Sequence, residues 1–138
     1  MRWGKWSDSG PIRDPEKLNQ LEAKFEAFKD SLRTMEPEQL RQIKKKLASW
    51  TGGAGGFRTP FEAAKLAARI LREVDQEIKK VLPEEDERLL KLAESLEGSA
   101  QETEEWLEQR REEHPTWVPD MTPVLAKVYN SLFETLAL

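Results

Sequence analysis

Four of the chain's seven glycines stand together in Thr51-Gly52-Gly53-Ala54-Gly55-Gly56, and the run leads into Phe57-Arg58-Thr59-Pro60-Phe61-Glu62. The chemistry open to such a run is anion capture. Glycine lets backbone amides turn toward a ligand and approach it closely, and a helix opening at Thr59-Pro60 would aim its positive end at a phosphate or carboxylate beside Arg58. The established phosphate motifs do not fit. A P-loop follows a strand and ends in Lys-Ser/Thr, whereas here a helical pattern precedes and Phe57-Arg58-Thr59 follows. The dinucleotide fingerprint fails because position 58, where its third glycine would fall, is arginine. Three readings of Gly52, Gly53, Gly55, Gly56, Phe57 and Arg58 therefore stay open: a connector between helices, a contact loop for a macromolecular partner, and an anion- or nucleotide-binding loop.

Arg41, Lys44, Lys45 and Lys46 form the one compact basic group, with Arg58 beyond the glycines. Groups of this kind bind phosphate backbones, which makes them candidate nucleic-acid contacts, and they are also common on solvated helix faces. Carboxylates crowd residues 84–113, including the run Glu84-Glu85-Asp86-Glu87 and the pair Glu112-Glu113. A helical-bundle metal site built on carboxylates needs Glu-x-x-His, but the single histidine, His114, has Arg111 three residues before it. The stretch reads as a solvated acidic surface and no metal ligand set is expected. Serine-histidine-acid catalysis would also have to use His114, and no serine occupies a Gly-x-Ser-x-Gly turn. The expectation is a protein without catalytic residues or cofactor, and not an enzyme.

Five tryptophans say more. Trp50 and Trp106 fall on apolar helical faces and suit packing. Trp3, Trp6 and Trp117 fall in irregular segments, where they would either pin those segments to the body or serve as binding anchors, tryptophan being the residue most enriched at interface hot spots.

The elements that must position these residues are helices throughout. Leu18, Leu21, Phe25, Phe28 and Leu32 repeat at spacings of three and four behind Asp14-Pro15, a cap followed by proline at the first helical position. Glu36-Pro37 opens a second helix with Leu40, Ile43, Leu47 and Trp50 on one face. Thr59 and Glu62 have capping-box spacing at the start of a third, whose Ala63, Ala64, Ala67, Ile70, Leu71, Val74 and Ile78 make it the widest in apolar surface and hence the central helix. Pro83 predicts a fourth, carrying Leu89, Leu92, Ala93 and Leu96 and closed by Gly98 in a left-handed conformation. A fifth begins near Ser99-Ala100 with Trp106 and Leu107. Two prolines in His114-Pro115-Thr116-Trp117-Val118-Pro119 then break the helix. Thr122-Pro123 restarts a sixth with Leu125, Val128, Tyr129, Leu132, Phe133 and Leu136, a face able to dock on the body or on a second copy. The reading is an all-α bundle of five to six helices over about 14–35, 37–50, 60–81, 83–97, 100–113 and 123–137, one folding domain over 14–138 preceded by a tail at 1–13 that a partner would order.

At 138 residues the chain can bury roughly two-thirds of its unfolded surface in one core. No cysteine is present, which removes disulfides and thiolate metal sites and favours a reducing compartment. No apolar run spans a bilayer or resembles a signal peptide, so a cytoplasmic protein without membrane contact is expected. Only two Asn beside abundant Glu, Lys, Arg and Leu, with boundary prolines, lean toward a heat-adapted or an idealised composition. The net charge of −4 conceals a division: residues 1–58 hold 12 basic against 8 acidic side chains, and residues 59–138 hold 10 against 18. A chain so divided can steer a partner or neutralise itself across helix contacts.

Over about residues 18–97, the order of a helix, Leu47-Ala48-Ser49-Trp50, a glycine-bearing turn and a long helix resembles the small helical subunits of CRISPR effector complexes. The resemblance rests on helix order alone. It implies an all-helical fold and a nucleic-acid-binding role within a ribonucleoprotein, and it assigns no functional residue; the acidic extension from 99 onward departs from it. The leading expectation is a protein–protein interaction module, regulatory, inhibitory or part of a complex, that docks through Gly52–Arg58 and the neighbouring Trp3, Trp6 and Trp117.

Overall fold

A computed structural model of the chain describes residues 12–50, 61–98 and 122–138. Five helices and no strands lie among these residues: α1 (Pro15–Leu32), α2 (Pro37–Ala48), α3 (Phe61–Val81), α4 (88–98) and α5 (Thr122–Thr135). They pack into an all-α bundle, as the periodicity requires. The expected helix over 100–113 and residues 1–11 of the expected tail lie outside the described residues.

Local chemistry sets the boundaries. Asp14 Oδ1 accepts the Lys17 amide at 3.1 Å, capping α1 with proline at its first position. Gln39 Oε1 accepts the Glu36 amide at 3.1 Å at the start of α2. α5 ends differently, with Ala137 at φ 57°, its amide bonded to the Glu134 carbonyl at 3.1 Å and the Leu138 amide to the Phe133 carbonyl at 2.8 Å. That bond pair is a Schellman closure with alanine at the left-handed position.

The fourth helix departs from expectation at its start and at Gly98. It begins at residue 88, five residues beyond Pro83. Residues 83–87 instead form a turn in which the Glu85 amide bonds the Leu82 carbonyl at 3.2 Å and Asp86 Oδ1 caps the Arg88 amide at 3.1 Å. A long-range contact holds this turn against α2: the Asp86 carbonyl accepts Lys44 Nζ at 2.9 Å. Gly98, the last described residue before 122, is helical and not left-handed, and an added Cβ there would meet open space.

Side-chain pairs give the directions. Glu22 meets Arg69, Lys29 meets Glu73, and Arg33 meets Glu77, so α1 and α3 run parallel. Thr122 meets Asp14 at the start of α1 and Tyr129 meets Glu22 and Phe25 further along, the last at 6.5 Å, so α5 runs the same way. Thr122 Oγ1, accepting the amides of Arg13 and Asp14 at 3.1 Å each, ties the start of α5 to the start of α1. α4 runs back along α3, since Lys79 pairs with Glu87 and Arg72 with Glu97.

α3 is the central helix: α1, α2 and α5 pack on it, and α4 is joined to it by those two ion pairs. Its Ala64, Leu66, Ala67, Ile70, Leu71, Val74 and Ile78 are fully buried, the alanines letting neighbours approach. Leu18, Phe25, Leu32, Leu40, Leu47, Leu89 and Ala93 close the core from the other helices. The apolar face of α5 belongs to this same core, with Leu125, Tyr129 and Leu132 buried against α1 and α3. It is therefore covered within one chain rather than offered to a second copy.

Candidate functional site

Gly52, Gly53, Gly55, Gly56, Phe57, Arg58, Trp3, Trp6 and Trp117 lie outside the described residues. The basic group of α2 lies within them, and the bundle divides it. Lys44 falls on the row of Leu40 and Leu47 and is only 5% exposed. Its Nζ reaches Asp86 Oδ1 at 2.7 Å, the Asp86 carbonyl at 2.9 Å and Glu85 at 3.4 Å. This charge serves the α2–α4 junction and is not on the exposed basic face that the sequence suggests. Arg41, Lys45 and Lys46 are exposed on the other side of the same helix. Arg41 has only the exposed Glu38 at 3.9 Å, and Lys45 and Lys46 make no ion pair among the described residues. The division follows from 3.6 residues per turn: positions 40, 44 and 47 share one face, while 41 and 45 share the next.

The described carboxylates of the acidic stretch lie mostly at the exposed surface, and four of them also reach cations of the bundle. Glu85 and Asp86 hold Lys44, Glu87 holds Lys79 at 2.7 Å, and Glu97 holds Arg72 at 2.9 Å. Asp86 sits below the usual aspartate range because Lys44, and then the Arg88 amide, bond its charged form.

The structure also contains a polar network that sequence reasoning passed over. Glu22 on α1 is 6% exposed. Its Oε1 accepts Arg69 of α3 at 2.6 Å, while Oε2 accepts a second guanidinium nitrogen at 3.3 Å and the Tyr129 hydroxyl of α5. Arg69 Nε lies 2.7 Å from Glu73 Oε2, and Glu73 Oε1 accepts Lys29 Nζ at 2.7 Å, with Glu26 3.0 Å from the same ammonium. Burial alone would raise the Glu22 pKa, but the bonds from Arg69 and Tyr129 and the nearby positive charges outweigh it and hold the carboxyl below its ordinary range. Burial, reinforced by the bond to Glu22, pushes the Tyr129 phenol well above its ordinary value. The resulting state is an ionised Glu22, a charged Arg69 and a neutral Tyr129. Both Glu22 oxygens are already bonded, so the network's chemistry is to lock three parallel helices in one register.

The signal for this network was present in the sequence. Leu18, Glu22, Phe25, Lys29 and Leu32 occupy one helical row, so a carboxylate and an ammonium sit on the most apolar face of α1. Arg69 interrupts Ala67-Ala68-Arg69-Ile70-Leu71 in the same way, and Tyr129 is the chain's single tyrosine.

Asp75 on α3 is 2% exposed, with Oδ2 3.3 Å from Lys79 Nζ and Oδ1 without a hydrogen-bond partner among the described residues. Among the described residues no three His, Cys, Asp or Glu side chains group to hold a metal, and no helix is long and apolar enough to cross a membrane. Comparison with protein-family models, with curated proteins and with solved structures finds no match to this chain.

Proposed function

We propose that this chain is a non-enzymatic protein–protein interaction module, a small regulatory, inhibitory or complex-subunit protein, docking through Gly52–Arg58 together with Trp3, Trp6 and Trp117. The observation that supports the reading is the anchoring on either side of the glycine cluster. Trp50, directly before it, is 4% exposed and donates its indole Nε1 to Ser131 Oγ of α5 at 2.9 Å. Ala63 and Ala64, just after it, are buried in the core. Recognition segments work from rigid supports, because an ordered scaffold leaves less freedom to lose on binding. The Glu22–Arg69–Tyr129 lock gives α1, α3 and α5 that rigidity.

The test is affinity capture of the full chain from its source cells, as wild type and as a Phe57→Ala/Arg58→Ala variant. A protein partner recovered in stoichiometric amount with the wild type, and lost from a variant of unchanged melting temperature, is the expected result. Recovery of the chain alone as a monomer would overturn the proposal, and retention of the partner by the variant would overturn the assignment to the loop.

A further inference from the structure

The exposed face of α2 carries charge that the fold does not use. Lys29, Lys44 and Arg69 each sit against carboxylates from other elements of the bundle, whereas Lys45 and Lys46 make no ion pair among the described residues and Arg41 has only a distant, exposed Glu38. The helix dipole accounts for lysines in the last turn of α2. It does not account for Arg41, which extends the row one turn toward the N-terminus.

What surrounds these three cations decides the kind of partner. Among the described residues, the other exposed positions beside them are Pro37, Glu38, Gln39, Gln42 and Ser49, of which only Pro37 is apolar and none is aromatic or a large aliphatic. Protein interfaces draw their energy from buried apolar anchors, which this face lacks. Phosphate oxygens are contacted by arginine, lysine, glutamine and serine, which this face offers. Side chains at i and i+4 stand about 5–6 Å apart at Cβ, so the long stems of Arg41 and Lys45 can reach neighbouring phosphates on one strand. We infer that Arg41, Lys45 and Lys46 form a docking surface for the phosphate backbone of a nucleic-acid strand, bound without regard to base sequence. The surface goes beyond the protein-docking reading and stands on α2 alone.

Three phosphate contacts on a single strand give a log Kd that rises with log salt at a slope of about 2. The net charge of −4 keeps the affinity low and the contact sensitive to salt. Fluorescence anisotropy of labelled poly(U) against the full chain over a salt series tests the inference. The expected result is binding at low salt with that slope, abolished in Lys45→Glu/Lys46→Glu at unchanged melting temperature. Lys44→Met, which removes a neighbouring but buried charge, is expected to keep the slope. No binding at low salt, an unaltered slope in the double variant, or equal binding of labelled poly-L-glutamate would each overturn it, the last by assigning the face to an acidic protein.

Discussion

Tyr129 donates its hydroxyl to a carboxylate that already holds two guanidinium bonds, and all three groups come from different helices. A bond of this kind contributes little beyond its alternatives in water, yet its loss inside a core leaves a desolvated oxygen short of a donor. Tyr129→Phe keeps the ring contacts with Phe25 and Phe133 and deletes only that donor. It is expected to cost about 1–3 kcal/mol by urea denaturation. The same carboxylate shapes the acid response. Glu22 titrates in the folded protein below its ordinary value of 4.5, so its stabilising contribution is complete above that pH and fades as pH falls through the folded value. Glu22→Gln has no such proton to take up. The slope of unfolding free energy against pH below about 4.5 should therefore be shallower in Glu22→Gln than in the wild type, measured by denaturation at a series of pH values. The remaining slope comes from groups such as Glu77, which the Arg33 guanidinium holds below the ordinary range.

The helices were legible wherever local pattern and proline agreed. Asp14-Pro15, Glu36-Pro37 and Thr122-Pro123 stand at the starts of α1, α2 and α5, and the apolar rows behind them are the buried ones. Periodicity has no knowledge of contacts distant in sequence, and that is where it misled. Pro83 is a good first helical residue, yet residues 83–87 form a turn that packs on Lys44 of another helix. Lys44 is buried because it shares the row of Leu40 and Leu47, a position legible from the helical period, while the carboxylates that meet it there are not. Glu22 was missed because a polar residue on an apolar row reads as noise until its partners are in place. One element end remains improvable: Ala137 adopts the left-handed conformation that costs an L-residue about 1–2 kcal/mol relative to right-handed helix. Ala137→Gly is expected to stabilise the protein by about 1 kcal/mol, offset in part by glycine's greater unfolded-state freedom. A higher urea midpoint at unchanged slope would register it.

At the scale of the whole molecule the parallel course of α1, α3 and α5 has a consequence for how the chain holds together. Parallel helices cannot be joined by tight turns, so α2 returns the chain between α1 and α3, and residues 82–121 span from the end of α3 back to the start of α5. α5 is thus far along the chain from both helices it packs on, yet it completes their core with Leu125, Val128, Tyr129, Leu132 and Phe133. Burial of side chains this size contributes about 1.5–3 kcal/mol each, which sums to the order of a domain's whole net stability. Removing α5 would also strip Tyr129 from Glu22, Ser131 from Trp50, and Thr122 from the amides of Arg13 and Asp14. A chain ended at residue 121 is therefore expected to lose its cooperative thermal transition, followed by circular dichroism. Supplying residues 122–138 as a separate peptide should restore that transition in a concentration-dependent way, because the same face would then be completed in trans. A truncated chain that melts like the full one would show that α1 to α4 form a core without α5, contrary to the burial of Phe25 and Tyr129 against each other.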